Sequence, residues 1–202
     1  MSKYDHYGIC DTIRSEMNFA EQYHTNLQET LSKLDFAKIN QAIEMMRDAR
    51  DAGQMVFVAG NGGSASTASH FMCDIIKGSS YQREKRFKVM ALTDNMEVIT
   101  AYANDVSYDC VFTEQMKNFA KPGDIFMAIS GSGNSPNVVQ AMEYANQAGL
   151  KTIALTGRDG GKLGPMAHLN IHVASPHMGR IEDAHLVVCH TICYYFMDAE
   201  PR

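Results

Sequence analysis

The sequence predicts an α/β protein: a three-layer α/β/α sandwich with a five-stranded parallel sheet, preceded by an N-terminal helical hairpin. Five short apolar runs with few polar positions are typical of strands buried on both faces. Segments with helical periodicity separate these runs, and strands that alternate with helices form parallel sheets through right-handed crossovers. The 202 residues, 45% of them hydrophobic and 20% charged, suit one domain over residues 1–202.

The N-terminal hairpin is predicted between residues 10 and 50. In its first helix, apolar residues recur at alternating steps of four and three, the pattern of a helix that packs along another helix. This seam consists of Ile13, Met17, Ala20, His24, Leu27, Leu31 and Leu34. In the second helix, Ile39, Ile43 and Met46 form an apolar stripe, and Gly53 is expected to end the helix. The α/β core is then expected over residues 54–202.

The core is predicted to alternate strands with helices. The strands are Met55–Ala59, Phe87–Leu92, Ile125–Ile129, Thr152–Leu155 and Leu169–Val173. The helices are Ser64–Lys77, Glu97–Asn118, Pro136–Ala148 and a last one from about Ile181 to Met197. Ligands of such sheets bind beyond the carboxyl ends of the strands, so the loops that follow the strands are the expected site.

Charge and cysteine content exclude several classes of protein. Lys and Arg total 18 against 23 Asp and Glu, and the net charge of −5 argues against a nucleic-acid binder. The five cysteines are scattered and predict no disulfide framework. We find no signal-peptide pattern and no apolar stretch near the ~20 residues that cross a bilayer. We therefore expect a cytoplasmic protein without nucleic-acid or membrane partners.

The first strand leads into the loop Gly60–Ala65, GNGGSA. Glycines allow a ligand to approach the backbone closely, and the start of the following helix suits an anion. The loop also satisfies G-x-G-x-x-A, a dinucleotide fingerprint, but has no Walker A lysine. A tight strand-to-helix turn with Ser64 as N-cap explains the same residues, so this loop alone leaves these interpretations open.

The third apolar run leads into Ser130–Pro136, SGSGNSP, at the start of a predicted helix. Ser135 fits the N-cap and Pro136 the first helical position. Capping needs one serine, whereas three serines and two glycines suit the acceptor oxygens of a terminal phosphate. Two further loops, Thr156–Lys162 and Thr93–Asn95, either line the site or are ordinary turns. Asp94 in the latter could hold a sugar hydroxyl or a cofactor ribose.

Metal or acid–base residues are expected on two helices. His70 and Asp74 are four residues apart, so they share one helical face and could share one ion or substrate. Glu182 and His190 are eight apart, about 12 Å along a helix. Both reach one ion only if their side chains lean toward each other or if one comes from another subunit. His190 lies in an apolar run, so a structural core histidine is the alternative.

Together these motifs resemble the sugar isomerase (SIS) domain, and more closely its phosphoheptose isomerase branch. The resemblance is carried, in order, by GNGGSASTASHF (60–71), AISGSGNSPNVVQA (128–141), TIALTGRDGGKL (152–163) and RIEDAHLVVCH (180–190). It implies flavodoxin-like subunits in a homotetramer with active sites between subunits, residues 1–53 packing in the oligomer, and zinc in the site without a nucleotide or redox cofactor. The implied reaction converts sedoheptulose 7-phosphate to D-glycero-D-manno-heptose 7-phosphate for lipopolysaccharide, capsule or S-layer.

The resemblance also implies roles for individual residues. The implied substrate-binding residues are Asn61, Gly62, Gly63, Ser64, Asp94, Ser130, Gly131, Ser132, Ser135 and Glu182. The implied metal ligands are His70, Asp74, Glu182 and His190, of which Asp74 and His190 would also be catalytic.

Four positions depart from the branch. Asp74 stands in place of the usual glutamate, Glu182 of glutamine, Gly131 of threonine and Gly179 of aspartate. The added charge of Glu182 would strengthen binding of a divalent cation. The alternative function is a non-catalytic SIS protein that binds a phosphosugar or associates with the replication initiator DnaA. Retention of two histidines and two carboxylates favours the enzyme, and a nucleotide-binding oxidoreductase would leave the serine-rich loop unexplained.

Overall fold

Five parallel strands form one central sheet in the computed structural model, which describes residues 18–200. They are β1 (Met55–Gly60), β2 (Lys88–Ala91), β3 (Ile125–Ser130), β4 (Lys151–Gly157) and β5 (Leu169–Val173). Their order across the sheet is β2-β1-β3-β4-β5, the flavodoxin-like order. The chain direction across the sheet reverses between β1 and β3, and doubly wound sheets bind ligands at such a switch point. The expected fold class is confirmed.

Helices cover both faces of the sheet. They are α1 (Phe19–Ser32), α2 (Phe36–Asp51), α3 (Gly63–Cys73), α4 (Met96–Asp105), α5 (Val111–Lys117), α6 (Pro136–Gln147), α7 (Leu163–Met166) and α8 (Met178–Tyr194). π-helical turns at Asp74–Gly78 and Tyr195–Ala199 continue α3 and α8, and a 3-10 turn at Tyr108–Cys110 precedes α5. No helix within residues 18–200 combines the length and apolar character needed to cross a membrane.

The strands form where the sequence predicts them because both of their faces are buried. All six residues of β3 are buried, and alternate side chains serve two separate cores. Ile125 and Met127 pack with α2, α3 and α8 on one face, whereas Phe126 and Ala128 pack with α5 and α6 on the other. Apolar side chains are therefore needed at almost every strand position.

The prediction of one continuous helix over Glu97–Asn118 is wrong. The segment divides into α4, the 3-10 turn and α5, because Val106 and Ser107 leave the helical region with φ values of −127° and −168°. The Ser107 hydroxyl accepts a hydrogen bond from the backbone N–H of Asp109 at 3.1 Å. Serine competes in this way for backbone partners that a helix would use, and here it starts a new turn.

The N-terminal seam is only partly covered in one chain. Ile13 and Met17 lie outside the described residues. Ala20 and His24 are exposed on α1, and Leu34 is buried beyond its end. The helix begins at a capping box in which Asn18 and Glu21 exchange hydrogen bonds of 3.1 Å.

Helices α3 and α8 position the site. Both follow strands of the parallel sheet, so both begin at its carboxyl edge, and they pack against each other on one face. Residues at the starts of α3 and α8 therefore meet near the ends of β1 and β3. Residues two to three turns further along the two helices meet at a second location.

Candidate active site

A polar cavity of about 170 Å³ opens at the carboxyl ends of β1 and β3. Its lining comprises Asn61, Ser64, Ile129, Ser130, Gly131, Ser132, Ser135, Met178 and Glu182. Most of the expected substrate-binding residues are thus brought together, although they come from two loops and from the first turns of α3 and α8. Gly62, Gly63 and Asp94 are not part of the lining.

The glycine-rich loop delivers Ser64 to this cavity. Gly62 is the N-cap of α3 and has a φ of +55°, a left-handed conformation that glycine adopts without strain. The helix then begins at Gly63, so the interpretation of Ser64 as N-cap is wrong. Ser64 instead lies inside the first turn, where it is buried and lines the cavity.

The serine-rich loop orders its own hydroxyl groups. Ser130 Oγ accepts a hydrogen bond from the backbone N–H of Gly133 at 3.2 Å and lies 3.5 Å from Ser132 Oγ. Ser132 Oγ accepts from the N–H of Asn134 at 3.2 Å. Ser135 occupies the N-cap of α6, but its side chain makes no capping hydrogen bond. Its hydroxyl therefore remains available to a ligand at the start of the helix, where the dipole favours an anion.

The loops Thr156–Lys162 and Thr93–Asn95 lie outside the cavity and support the segments around it. In Thr156–Lys162, the N–H of Lys162 donates to Asn134 Oδ1 at 3.1 Å, which braces the serine-rich loop. No residue of that segment lines the cavity. Asp94 is exposed and accepts a hydrogen bond from the Ser69 hydroxyl on α3. Both loops therefore act here as braces and not as cavity walls.

A second cluster of polar side chains joins α3 to α8. The Nε2 atoms of His70 and His190 lie 3.2 Å apart, and Asp74 Oδ2 lies 3.3 Å and 3.6 Å from them. Asp74 opens the π-helical turn, a local distortion that recurs at functional sites. The His190 side chain is 40% exposed, so it is not a core histidine.

These three residues form a set that could hold a metal ion. One ligand atom from each lies within 4.8 Å of the others. Two imidazole nitrogens and one carboxylate are donors that Zn²⁺ accepts, and three protein ligands leave a coordination position for substrate or water. The donor chemistry of the cluster therefore fits the expected zinc.

Glu182 does not join this set within one chain. Its carboxylate packs against Gly63, where an added Cβ would lie 3.1 Å from Oε1. The eight residues that separate it from His190 keep it beside the serine-rich loop. Of the four expected metal ligands, one chain therefore brings together three, and it assigns the fourth to the cavity.

Two glycines at positions of departure from the branch leave space that neighbouring side chains fill, and neither has a left-handed backbone. A Cβ on Gly131 would lie 2.5 Å from Met178 Sδ, so the glycine makes room for Met178 in the cavity wall. A Cβ on Gly179 would lie 2.8 Å from the Tyr23 hydroxyl. Sequence reasoning missed Met178, because only the packing of α8 against the serine-rich loop brings it there.

Tyr23 uses the space beside Gly179 to reach α8. Its hydroxyl donates to Asp183 Oδ2 at 2.6 Å, and this bond, together with partial burial, raises the pKa of Tyr23 to about 12. The contact fixes α1 to the first turns of α8, next to Glu182.

His185 is the buried histidine of this region. Its Nε2 lies 3.1 Å from the carbonyl oxygen of Thr156, so Nε2 carries the proton and donates it. Burial lowers the pKa of His185 to about 4, and its Nδ1 has no hydrogen-bond partner. The ring is therefore neutral and holds α8 to the end of β4.

Comparisons with known proteins agree with this geometry. The SIS domain family model matches residues 19–157. A probable phosphoheptose isomerase of Thermoplasma volcanium is 44% identical over 143 residues, which are 71% of this chain and 72% of the relative. The phosphoheptose isomerase of Citrifermentans bemidjiense is 36% identical over 181 residues, or 90% and 92% of the two chains.

A solved structure supports the same assignment. Phosphoheptose isomerase GmhA of Neisseria gonorrhoeae superposes with a TM-score of 0.79 at 30% sequence identity, covering 89% of this chain and 98% of that one. The relatives and this neighbour are sugar-phosphate isomerases by name. The chain therefore belongs to the SIS domain family, in its phosphoheptose isomerase branch, and is a sugar-phosphate isomerase.

Proposed function

We propose that this chain interconverts sedoheptulose 7-phosphate and D-glycero-D-manno-heptose 7-phosphate, an aldose–ketose isomerisation. The supporting observation is that α3 and α8 both contribute to the lining of the serine-lined cavity and, further along each helix, to the histidine–aspartate cluster. Ser64 and His70 are six positions apart, roughly 9 Å along a helix. An extended seven-carbon phosphate spans roughly 8 Å from phosphorus to C2, at about 1.2 Å a bond. One substrate thus fits both locations.

The phosphate group would bind at the serine-rich loop. Ser130, Ser132 and Ser135 supply hydroxyl groups there, and the first turn of α6 supplies backbone N–H groups and the positive end of the helix dipole. Among residues 18–200, no lysine or arginine lines the cavity, so hydroxyl and backbone donors would carry the recognition. Asn61 and Ser64 would contact the adjoining part of the sugar phosphate.

The proton transfer would occur at the cluster. The Asp74 carboxylate takes a proton from the hydroxyl-bearing carbon next to the carbonyl and returns it to the former carbonyl carbon, passing through an enediol. His190, within 3.6 Å of that carboxylate, would move the accompanying proton between the two oxygens when its ring nitrogen is not bound to a metal. Glu182 is the other carboxylate near the substrate path and is the second candidate for the base.

Zinc is the metal that we propose for this site, with His70, Asp74 and His190 as its ligands from one chain. When bound, it would polarise the carbonyl and hydroxyl oxygens of the substrate. Binding calorimetry with ZnCl₂, on the wild type and on a His70→Ala variant, tests this independently of turnover. Equal affinity of the two proteins for zinc would remove the assignment.

We further propose a homotetramer with active sites between subunits. Val187 and Tyr194 are 39% and 51% exposed, and they share a face of α8 with His190. Phe19 on α1 is also largely exposed. Apolar side chains beside a polar cluster favour coverage by another copy of the chain. Light scattering coupled to size-exclusion chromatography would give four times the 22.4 kDa chain mass.

The cellular setting follows from chemistry and composition. The four cysteines between residues 18 and 200 are all free thiols, which supports a reducing compartment such as the cytoplasm. The net charge of −5 gives no support for nucleic acid as a partner. The product would supply heptose units for lipopolysaccharide, capsule or S-layer.

A direct assay tests the function. Purified protein is incubated with sedoheptulose 7-phosphate, with and without zinc, and heptose 7-phosphate is followed by NMR. We expect product, and we expect none from an Asp74→Asn variant that still binds substrate. No product from the wild type under either condition, with substrate still bound, would favour the non-catalytic phosphosugar-binding alternative.

A further inference from the structure

We propose that Asn137 is a positioning residue for substrate binding. It orients the side-chain amide of Asn61 so that this amide presents an N–H group to the ligand in the cavity. This inference rests on the proposed function, because it takes the ligand of the cavity to be a sugar phosphate.

Asn61 and Asn137 form a reciprocal amide pair. Asn61 Nδ2 donates to Asn137 Oδ1 at 2.8 Å, and Asn137 Nδ2 donates to Asn61 Oδ1 at 2.9 Å. Asn61 follows β1 and lines the cavity, whereas Asn137 lies in the first turn of α6 and is only 1% exposed. A buried polar side chain directed at a cavity residue is poorly explained by packing alone, since burial of an amide is costly unless it bonds.

The backbone of α6 fixes the orientation of both amides. The N–H of Val138 donates to Asn137 Oδ1 at 3.0 Å, and a backbone N–H can only donate. That bond identifies the oxygen of Asn137 and places its nitrogen opposite the oxygen of Asn61. If the Asn61 amide turned over, two N–H groups would face each other and both bonds of the pair would be lost.

Tyr108 reinforces the same orientation. Its hydroxyl donates to Asn61 Oδ1 at 2.9 Å, so this oxygen accepts two hydrogen bonds. Asn61 Nδ2 has two N–H groups, and one of them is used by Asn137. Among residues 18–200, no protein acceptor takes the other. The amide oxygen is therefore occupied, and the free group is a donor.

A fixed donor suits the ligand class. Phosphate and sugar oxygens accept hydrogen bonds, whereas an amide oxygen turned toward an anion would repel it. Because Asn137 directly follows the serine-rich loop, one segment would both bind the phosphate and set the Asn61 donor. Orientation before binding avoids the entropy cost of fixing this side chain when the ligand arrives.

A double-mutant cycle measured by calorimetry with sedoheptulose 7-phosphate tests the proposal. Asn137→Leu, which is close in shape to asparagine but cannot hydrogen-bond, is expected to raise Kd about tenfold, as loss of one hydrogen bond does. Asn61→Ala is expected to cause a similar loss, and the double variant no more than Asn61→Ala alone. In turnover assays KM should rise with the same factor and kcat should change less.

Asn146→Leu is the matched control. Asn146 lies near the other end of α6, where its amide donates to the carbonyl of Met166 at 2.9 Å, so the change removes comparable hydrogen bonds away from the cavity. We expect it to lower the unfolding temperature without changing Kd. If Asn137→Leu does not fold, Asn137→Ser replaces it, because serine retains a polar group for Val138 but cannot reach Asn61.

Each outcome is decisive. A wild-type Kd in Asn137→Leu or Asn137→Ser, or an equal further loss when Asn137 is changed in the Asn61→Ala background, overturns the positioning role. A wild-type chain that binds sedoheptulose 7-phosphate without isomerising it removes the proposed reaction alone, since Kd still tests Asn137. A wild-type chain that does not bind this sugar phosphate overturns both.

Discussion

The imidazoles of His70 and His190 meet with their Nε2 atoms 3.2 Å apart, although the two residues are 120 positions apart in the sequence. Only the packing of α3 against α8 creates this contact. Asp74, one turn beyond His70, completes the cluster by placing one carboxylate oxygen within 3.6 Å of both rings. The proposed acid–base group of this isomerase is therefore created by the packing of two helices.

Removal of the Asp74 or the His190 side chain should abolish turnover and leave the fold intact. We expect Asp74→Ala and His190→Ala each to lower kcat by at least about a hundredfold, the usual contribution of a positioned acid or base. Both side chains are partly exposed, so the unfolding temperature should change little. Steady-state kinetics and thermal unfolding check this, with exposed His24→Ala as control. Full activity in either cluster variant would contradict the assigned roles.

Gly131 and Met178 should behave as a coupled pair. Gly131→Ala places a Cβ 2.5 Å from Met178 Sδ, and overpacking of this kind costs about 1–3 kcal/mol of unfolding free energy or displaces Met178 into the cavity. Met178→Ala removes the obstructing atom. We expect Gly131→Ala to raise KM in the wild-type background and to have a much smaller effect in Met178→Ala. Equal effects in both backgrounds would show that the pair is uncoupled.

Gly179 and Tyr23 allow a similar experiment on the contact between α1 and α8. An alanine at position 179 meets the Tyr23 hydroxyl at 2.8 Å, so Gly179→Ala should strain or break the hydrogen bond to Asp183. We expect a loss of about 1 kcal/mol in denaturant unfolding. Tyr23→Phe removes both the hydroxyl and its bond, and in that background Gly179→Ala should add little. A second full loss there would place the strain elsewhere.

His185 should make the protein less stable in acid. Burial lowers its pKa from 6.5 to about 4, so between these pH values the unfolded chain binds a proton that the folded chain excludes. The free energy of unfolding therefore rises with pH across this window, by up to about 1.4 kcal/mol per unit, and is independent of this group above it.

Unfolding measured at several pH values checks this prediction. His185→Gln does not titrate and keeps an N–H donor, so its stability should fall less steeply between pH 6.5 and pH 4 than that of the wild type. The exposed His24→Gln is the control and should follow the wild type. Parallel curves for His185→Gln and the wild type would assign the acid sensitivity to other groups.

The sequence by itself determined the sheet and the loops of the site. A strand such as β3, buried on both faces, needs apolar residues at nearly every position. It is therefore visible in the sequence as a run of consecutive apolar residues. The serine-rich loop could also be predicted from the sequence as a candidate binding site, because its hydrogen-bond donors lie within seven residues at the start of a helix. The sequence pattern failed to predict the break between α4 and α5, where the Ser107 side chain competes for backbone hydrogen bonds. It also misplaced the start of α3, because the positive φ of Gly62 lets the helix begin before Ser64.

Tertiary structure alone decided which distant residues meet. It brought His70 to His190, because α3 packs on α8. It kept Glu182 beside the serine-rich loop, because eight residues of helix separate Glu182 from His190. It placed Met178 over Gly131, Tyr23 against Gly179 and Asn137 against Asn61, pairs whose members lie on different elements. Sequence spacing constrains contacts within one element, whereas the distance between two elements is set by the side chains packed between them.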